Sequence, residues 1–172
     1  NATHPEQRKQ YDQLQYPRLQ EAARSLPNPL PALISRPSWI GGAEMGVNTA
    51  GVAMGNEAVF ARKRSEKRGL LGMDILRLTL HNAHTAREAV EIATDLIETY
   101  GQGGNGSYEG TLRYHNSFIM ADSQDAWVVE SAGRSWKAEQ VVHHASISNA
   151  YSMDDFAKTH ASRLHLLFTK GS

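Results

Sequence analysis

Two asparagines stand where short apolar runs give out, Asn56 after Val52-Ala53-Met54-Gly55 and Asn149 after Ile147-Ser148. A carboxamide carries both an N–H donor pair and a carbonyl acceptor on a short side chain. Held at the end of a rigid strand, the donor pair can meet the oxyanion that develops during amide cleavage. Losing one such donor typically costs about 3 kcal/mol of transition-state stabilisation. That chemistry needs a nucleophile between the two asparagines, and the chain contains no cysteine. Disulfides, thiolate metal sites and a cysteine nucleophile are therefore excluded within these residues. The plainer reading is that Asn56 and Glu57 close a strand and Gly55 marks a bulge. Glu44 and Glu130 are the carboxylates placed to meet a substrate ammonium, the alternative being burial against an arginine such as Arg36 or Arg134.

The elements that position these residues follow from periodicity. Ala32 to Ser35 is a short apolar strand, and the run from Ser35 to Phe60 then reads as a β-hairpin with its turn at Asn48 to Gly51, where glycine supplies a positive φ. Leu70 to Asn82 is apolar almost all round, which predicts a buried helix. Thr85-Ala86-Arg87-Glu88 carries the capping-box pattern. Behind it Ala89, Val90, Ala93, Leu96 and Ile97 recur at helical spacing, the mark of an amphipathic helix. Gly101 to Gly106 follows that helix instead of opening one, so it reads as a mobile loop beside a site and not as a phosphate cradle.

From His115 the period becomes that of strands: Ser117 to Ala121, Ala126 to Glu130 and an alternating edge strand Ser135 to Glu139. Ile147 to Asn149 reads as a further strand and Asp154 to Ser172 as a last helix. Strands flanking a helix pair predict an α+β domain of two sheets with helices outside them.

At 172 residues the chain fits one domain. Residues 1–31 read as an irregular, proline-studded lead-in with a short helical piece between Arg8 and Arg24. Residues 32–150 carry the core and residues 151–172 a helical ending. Eighteen basic residues balance eighteen acidic ones, which argues against nucleic acid or an anionic membrane as partner. The basic run Ala61 to Gly69 reads as a solvated loop, with phosphate binding as its alternative. His143 and His144, adjacent on a strand, point to opposite faces, so no metal site is expected. No cofactor is expected either. The polar opening residues are unlike a signal segment and read as cytoplasmic, with secretion as the alternative. A homo-oligomer is compatible with the composition.

The runs SRPSWIGGAEMGVNTAGVAMGNEAVF, GLLGMDILRL, EAVEIATDLIETYGQGGNG, YHNSFIMADSQDAWVVESAGRSW and SISN, in that order, resemble the secernin and peptidase C69 dipeptidase family. The resemblance covers Ser35 to Asn149. It implies a four-layer α-β-β-α sandwich of the N-terminal nucleophile hydrolase type, incomplete here at both ends. It also implies a cysteine-type dipeptidase acting on small peptides. In that family an N-terminal cysteine attacks the amide and its own α-amine is the base, so the resemblance places the nucleophile upstream of residue 1. By the same resemblance Asn56 would lie in the oxyanion hole and Asn149 would supply its side-chain amide. Asn1 to Pro5 would follow the nucleophile strand, and Arg163 would stand for an arginine near the site. The alternative is a secernin-like interaction protein that keeps the scaffold without catalysis.

Overall fold

The computed structural model of the chain describes residues 16–26 and 29–161. Its elements, in order, are α1 (Tyr16–Ser25), β1 (Ala32–Ser35), β2 (Met45–Asn48), β3 (Ala53–Val59), α2 (Gly72–Leu80), α3 (Ala86–Tyr100), β4 (His115–Ala121), β5 (Ala126–Ala132), β6 (Ser135–Gln140) and α4 (Asp154–His160). The six strands form a single antiparallel sheet in sequence order. The α+β expectation holds. Of the two sheets expected, the described residues make one, with α2 and α3 packed on one face. Asn1 to Pro5 and Arg163 lie outside the described residues.

Alternation along each strand decides which side chains face the helices. Met54, Phe118, Met120 and Val129 point inward and join Ile75, Leu76, Leu80, Leu96 and Ile97 in the main core. On the opposite face lie Val59, Ile119, Val128 and Ala132. That face is covered at one end by Tyr151, Met153, Phe156 and Ala161. At its other end Leu33, Met45 and Val47 are exposed.

The hairpin turn is tied down by Asn48. Its Oδ1 accepts from the amides of Ala50 and Val52, both at 3.0 Å, while its Nδ2 donates to the carbonyls of Leu80 and Ala83 at the end of α2. Gly51 takes φ +87° there, as the turn requires. At the start of α3, Thr85 Oγ1 accepts from Glu88 N at 3.1 Å, whereas the Glu88 carboxylate reaches the amide of His84 and not that of Thr85. Asp122, from the β4–β5 turn, takes the Ala86 amide at 2.6 Å. The amides of Ala86, Asp125 and Gln124 hold its carboxyl below the usual range, as expected for an anion at a helix N-terminus.

Three expectations are corrected by tertiary packing. Residues 147–149 form no strand, because among the described residues no strand pairs with them; they run as irregular chain. The last helix is short, ending at His160, and the residues past 161 lie outside the described ones. The glycine-rich loop is packed: Gly101 to Gly104 are buried and bridge in parallel to the charged segment. Leu70 N donates to Gly101 O at 2.9 Å, Gly103 N to Leu70 O at 2.8 Å, and Glu66 N to Gln102 O at 3.0 Å. A β-carbon at Gly103 would collide with the Glu66 carbonyl. The glycines are thus used for close backbone approach.

Candidate functional site

Asn56 lies inside β3, paired with Phe118, and the strand continues to Val59. The expectation that it ends a strand is therefore corrected. Alternation turns its side chain to the helix face, where Nδ2 donates to Asn116 Oδ1 at 3.3 Å. Asn116 Nδ2 donates in turn to Gln102 Oε1 at 2.9 Å, and Gln102 Nε2 to the Gly133 carbonyl at 2.7 Å. The Ser131 hydroxyl sits between Gln102 Oε1 at 3.0 Å and the Asn116 carbonyl at 2.6 Å. This buried chain locks β3, β4, β5 and the glycine loop together. Gly72 at the start of α2 is obligatory beside it, since a β-carbon would collide with the Asn116 carboxamide.

Asn149 approaches β3 from the other side. Its Nδ2 donates to Glu57 Oε2 at 3.1 Å and to the Ala58 carbonyl at 3.0 Å. Glu57 and Asn56 are neighbours on one strand and so point to opposite faces. The structure therefore brings both asparagines to one stretch of β3 but sends their carboxamides to opposite sides of the sheet. Asn56 has its backbone amide on the Glu44 carbonyl at 3.1 Å.

Glu130 is fully buried, and its acceptors are filled by local donors. Ser152 N and Ser152 Oγ (the latter at 2.8 Å) donate to Oε1, and Met153 N donates to Oε2 at 3.2 Å. No arginine is involved, which corrects that reading of this residue; its oxygens already meet local donors. Arg134 pairs instead with Glu66 at 2.9 Å, and Arg36 donates to the Ile40 carbonyl. Glu44 is exposed just before β2. Burial first, then the charges of Asp74 and Glu44, push the Tyr114 hydroxyl up to about 12.

The sheet register exposes a polar row not anticipated from the residues. Glu57 lies opposite Ser117, Ser117 opposite Glu130, and Glu130 opposite Lys137. One pair further along β3 and β4, Val59 lies opposite His115. Ser117 is buried, with no hydrogen-bond partner for its Oγ, and His115 is 2% exposed with none for its Nε2. The signal was the alternation His115-Asn116-Ser117-Phe118, which puts two hydrogen-bonding side chains on one face of a buried strand.

Burial, then the charge of Lys63, lower the His115 pKa to about 4. A histidine kept neutral by the fold stabilises it fully above the unfolded pKa near 6.5. That stability is lost as pH falls, because the unfolded chain then binds the proton and the folded one does not until about pH 4. We expect the unfolding free energy to drop over that window by an amount on the order of 3 kcal/mol. In His115→Gln the drop should be largely absent, which unfolding titrations at pH 7, 5.5 and 4 would show.

Among the described residues no three His, Cys, Asp or Glu side chains gather as a metal site, and no helix is long and apolar enough to cross a membrane. Residues 38–163 match the family model described as Peptidase family C69. The fold is similar to that of penicillin V acylase from Agrobacterium tumefaciens, at 18% identity over 76% of this chain and 38% of that one, with a TM-score of 0.46. A mutant of conjugated bile acid hydrolase from Clostridium perfringens is similar at 13% identity over 73% of this chain and 39% of that one, with a TM-score of 0.49. The chain thus spans less than two-fifths of the length of either.

Proposed function

The chain belongs to peptidase family C69, and from that premise we propose that the protein hydrolyses small peptide amide bonds as a cysteine-type dipeptidase whose nucleophile precedes these residues. The observation that carries the proposal is the anchoring of Asn149. One N–H of its carboxamide is fixed on the Ala58 carbonyl, and the other is turned toward Glu57. A developing oxyanion would take that second N–H from the Glu57 carboxylate. A donor already oriented by a backbone carbonyl needs little reorganisation as charge builds, which is where such donors have their largest effect.

In this reading the cysteine sulfur attacks the scissile carbonyl carbon while its own α-amine takes the thiol proton. The carbonyl π pair becomes the oxyanion held by Asn149. As the intermediate collapses, the C–N bond breaks and the leaving nitrogen receives the proton. Water then cleaves the thioester. Asn56 serves as a positioning residue, since its link to Asn116 and Gln102 fixes the strand that carries Glu57 and Ala58. Glu44, exposed beside the Asn56 amide, is the carboxylate available to a substrate ammonium.

The test is direct. The full-length protein, its mature N-terminus established by sequencing, should release amino acids from a panel of dipeptides and lose that activity on thiol alkylation. No release from any dipeptide would leave the scaffold as an interaction protein and end the catalytic reading.

A further inference from the structure

Beyond the Val59–His115 pair, where β3 and β4 end, the chain encloses a cavity of about 400 Å³. Its lining includes Arg62, Lys63, Arg64, Lys67, Arg113 and His115, and no carboxylate. Glu66, within the same run, is turned away onto Arg18 and Arg134. Among the described residues none of the five cations forms an ion pair. Arg62 is pinned by a bond from Nε to the Ala161 carbonyl at 2.8 Å, and the stem of Lys63 lies against Gly133.

A run of like charge is ordinarily a solvated face. Two observations separate this one from that reading. Arg113 joins the cluster from a distant part of the chain, closing a concave space within the size range of ligand pockets. His115, 2% exposed, lines the same space with an Nε2 that has no partner. A neutral imidazole can place its one N–H there and donate to an anion without adding charge.

We propose that this cavity binds the free C-terminal carboxylate of a short peptide substrate. The proposal rests on the amide-cleavage reading and deepens it. Asn149 sits on the Ala58 carbonyl and the cavity opens at Phe60, two residues further along the chain and just past the end of β3, or about 7 Å for extended backbone. That distance is spanned by about two residues of extended peptide, or by one together with the reach of a Lys or Arg side chain. The substrates so defined carry one or two residues after the scissile bond and end in a free carboxylate.

The full-length protein should prefer alanyl-alanine over alanyl-alaninamide by at least tenfold in kcat/KM. The double variant Lys63→Ala/Arg113→Ala should bring the two substrates to within about twofold. Both positions are exposed, and circular dichroism verifies the fold. Calorimetric titration of both compounds, on Asn149→Ala or on the wild type if neither is hydrolysed, should give the same tenfold preference in Kd and the same loss in the double variant. Equal affinity for the two compounds, or a preference the double variant leaves intact, would overturn the proposal. So would inorganic phosphate that binds the cavity in a manner abolished by the double variant while the carboxylate makes no difference; the ligand would then be free phosphate. Carboxylate-dependent binding without hydrolysis of either compound would retain the cavity as a carboxylate site and sink the catalytic reading instead.

Discussion

Asn149→Ala in the full-length protein should lower kcat by a hundredfold to a thousandfold, the usual consequence of removing one oxyanion donor. The size of the effect follows from timing. Before reaction the second N–H of Asn149 rests on Glu57 Oε2, a contact that water can replace, so ground-state binding changes little. In the transition state the same N–H faces a full developing charge. The loss therefore appears in kcat and in kcat/KM together. Stability should move by only about 1 kcal/mol, since Asn149 is half-buried and its acceptors reach solvent. Parallel turnover and thermal-unfolding measurements separate the two effects, and turnover within a few-fold of wild type would remove Asn149 from the chemistry.

The second large effect concerns Glu130. Its carboxylate receives two amides and a hydroxyl in a fully buried position, and hydrogen bonds to a charged group contribute roughly 1.5–3 kcal/mol each. They are not additive, and Glu130→Ala also strands the Ser152 and Met153 amides. A destabilisation of about 3–5 kcal/mol is expected, enough to take much of the stability of a single domain. Glu130→Gln, which keeps its carbonyl acceptor, should lose less. Urea unfolding of the two variants checks this order. A Glu130 variant with wild-type stability and a raised KM would instead return the residue to the substrate.

What could be read in the residues, and what could not, divides by range. The hairpin turn was legible because Asn48 and Gly51 solve a local problem within four residues, and the α3 start because Thr85 and Glu88 do the same. The strand through Gly55-Asn56 was not. Two turn-forming residues in succession look like an ending, yet β4 pairs across them and carries the strand on to Val59. Ile147 to Asn149 failed in the opposite sense, having strand composition without a strand among the described residues to pair with. The burial of Gly101 to Gly104 depended on Glu66 and Leu70 arriving from another loop, which no local pattern records. Asn149 was singled out as a donor, but its anchor on Ala58 required the fold. The family resemblance carried the functional reading, because the chain contains no cysteine to identify such a reaction by itself.

The order of the sheet also bears on how the site comes into being. Strands β1 to β3 and β4 to β6 are two three-stranded meanders, each closed by connections of modest length, so each can pair from local contacts. Joining them requires β3 to find β4 across the whole helical excursion, from Val59 to His115. Long closures are entropically the more expensive and are completed later. Asn56 and its partner Asn116 sit on that seam, and Asn149, which follows β6, is anchored across it on Glu57 and Ala58 of β3. The site proposed for catalysis therefore belongs to neither half alone: a chain with both meanders formed but α2 and α3 undocked would hold most of its strand pairing and none of its site. Activity should accordingly return after secondary structure during refolding, with a lag that reports the closing of a single seam.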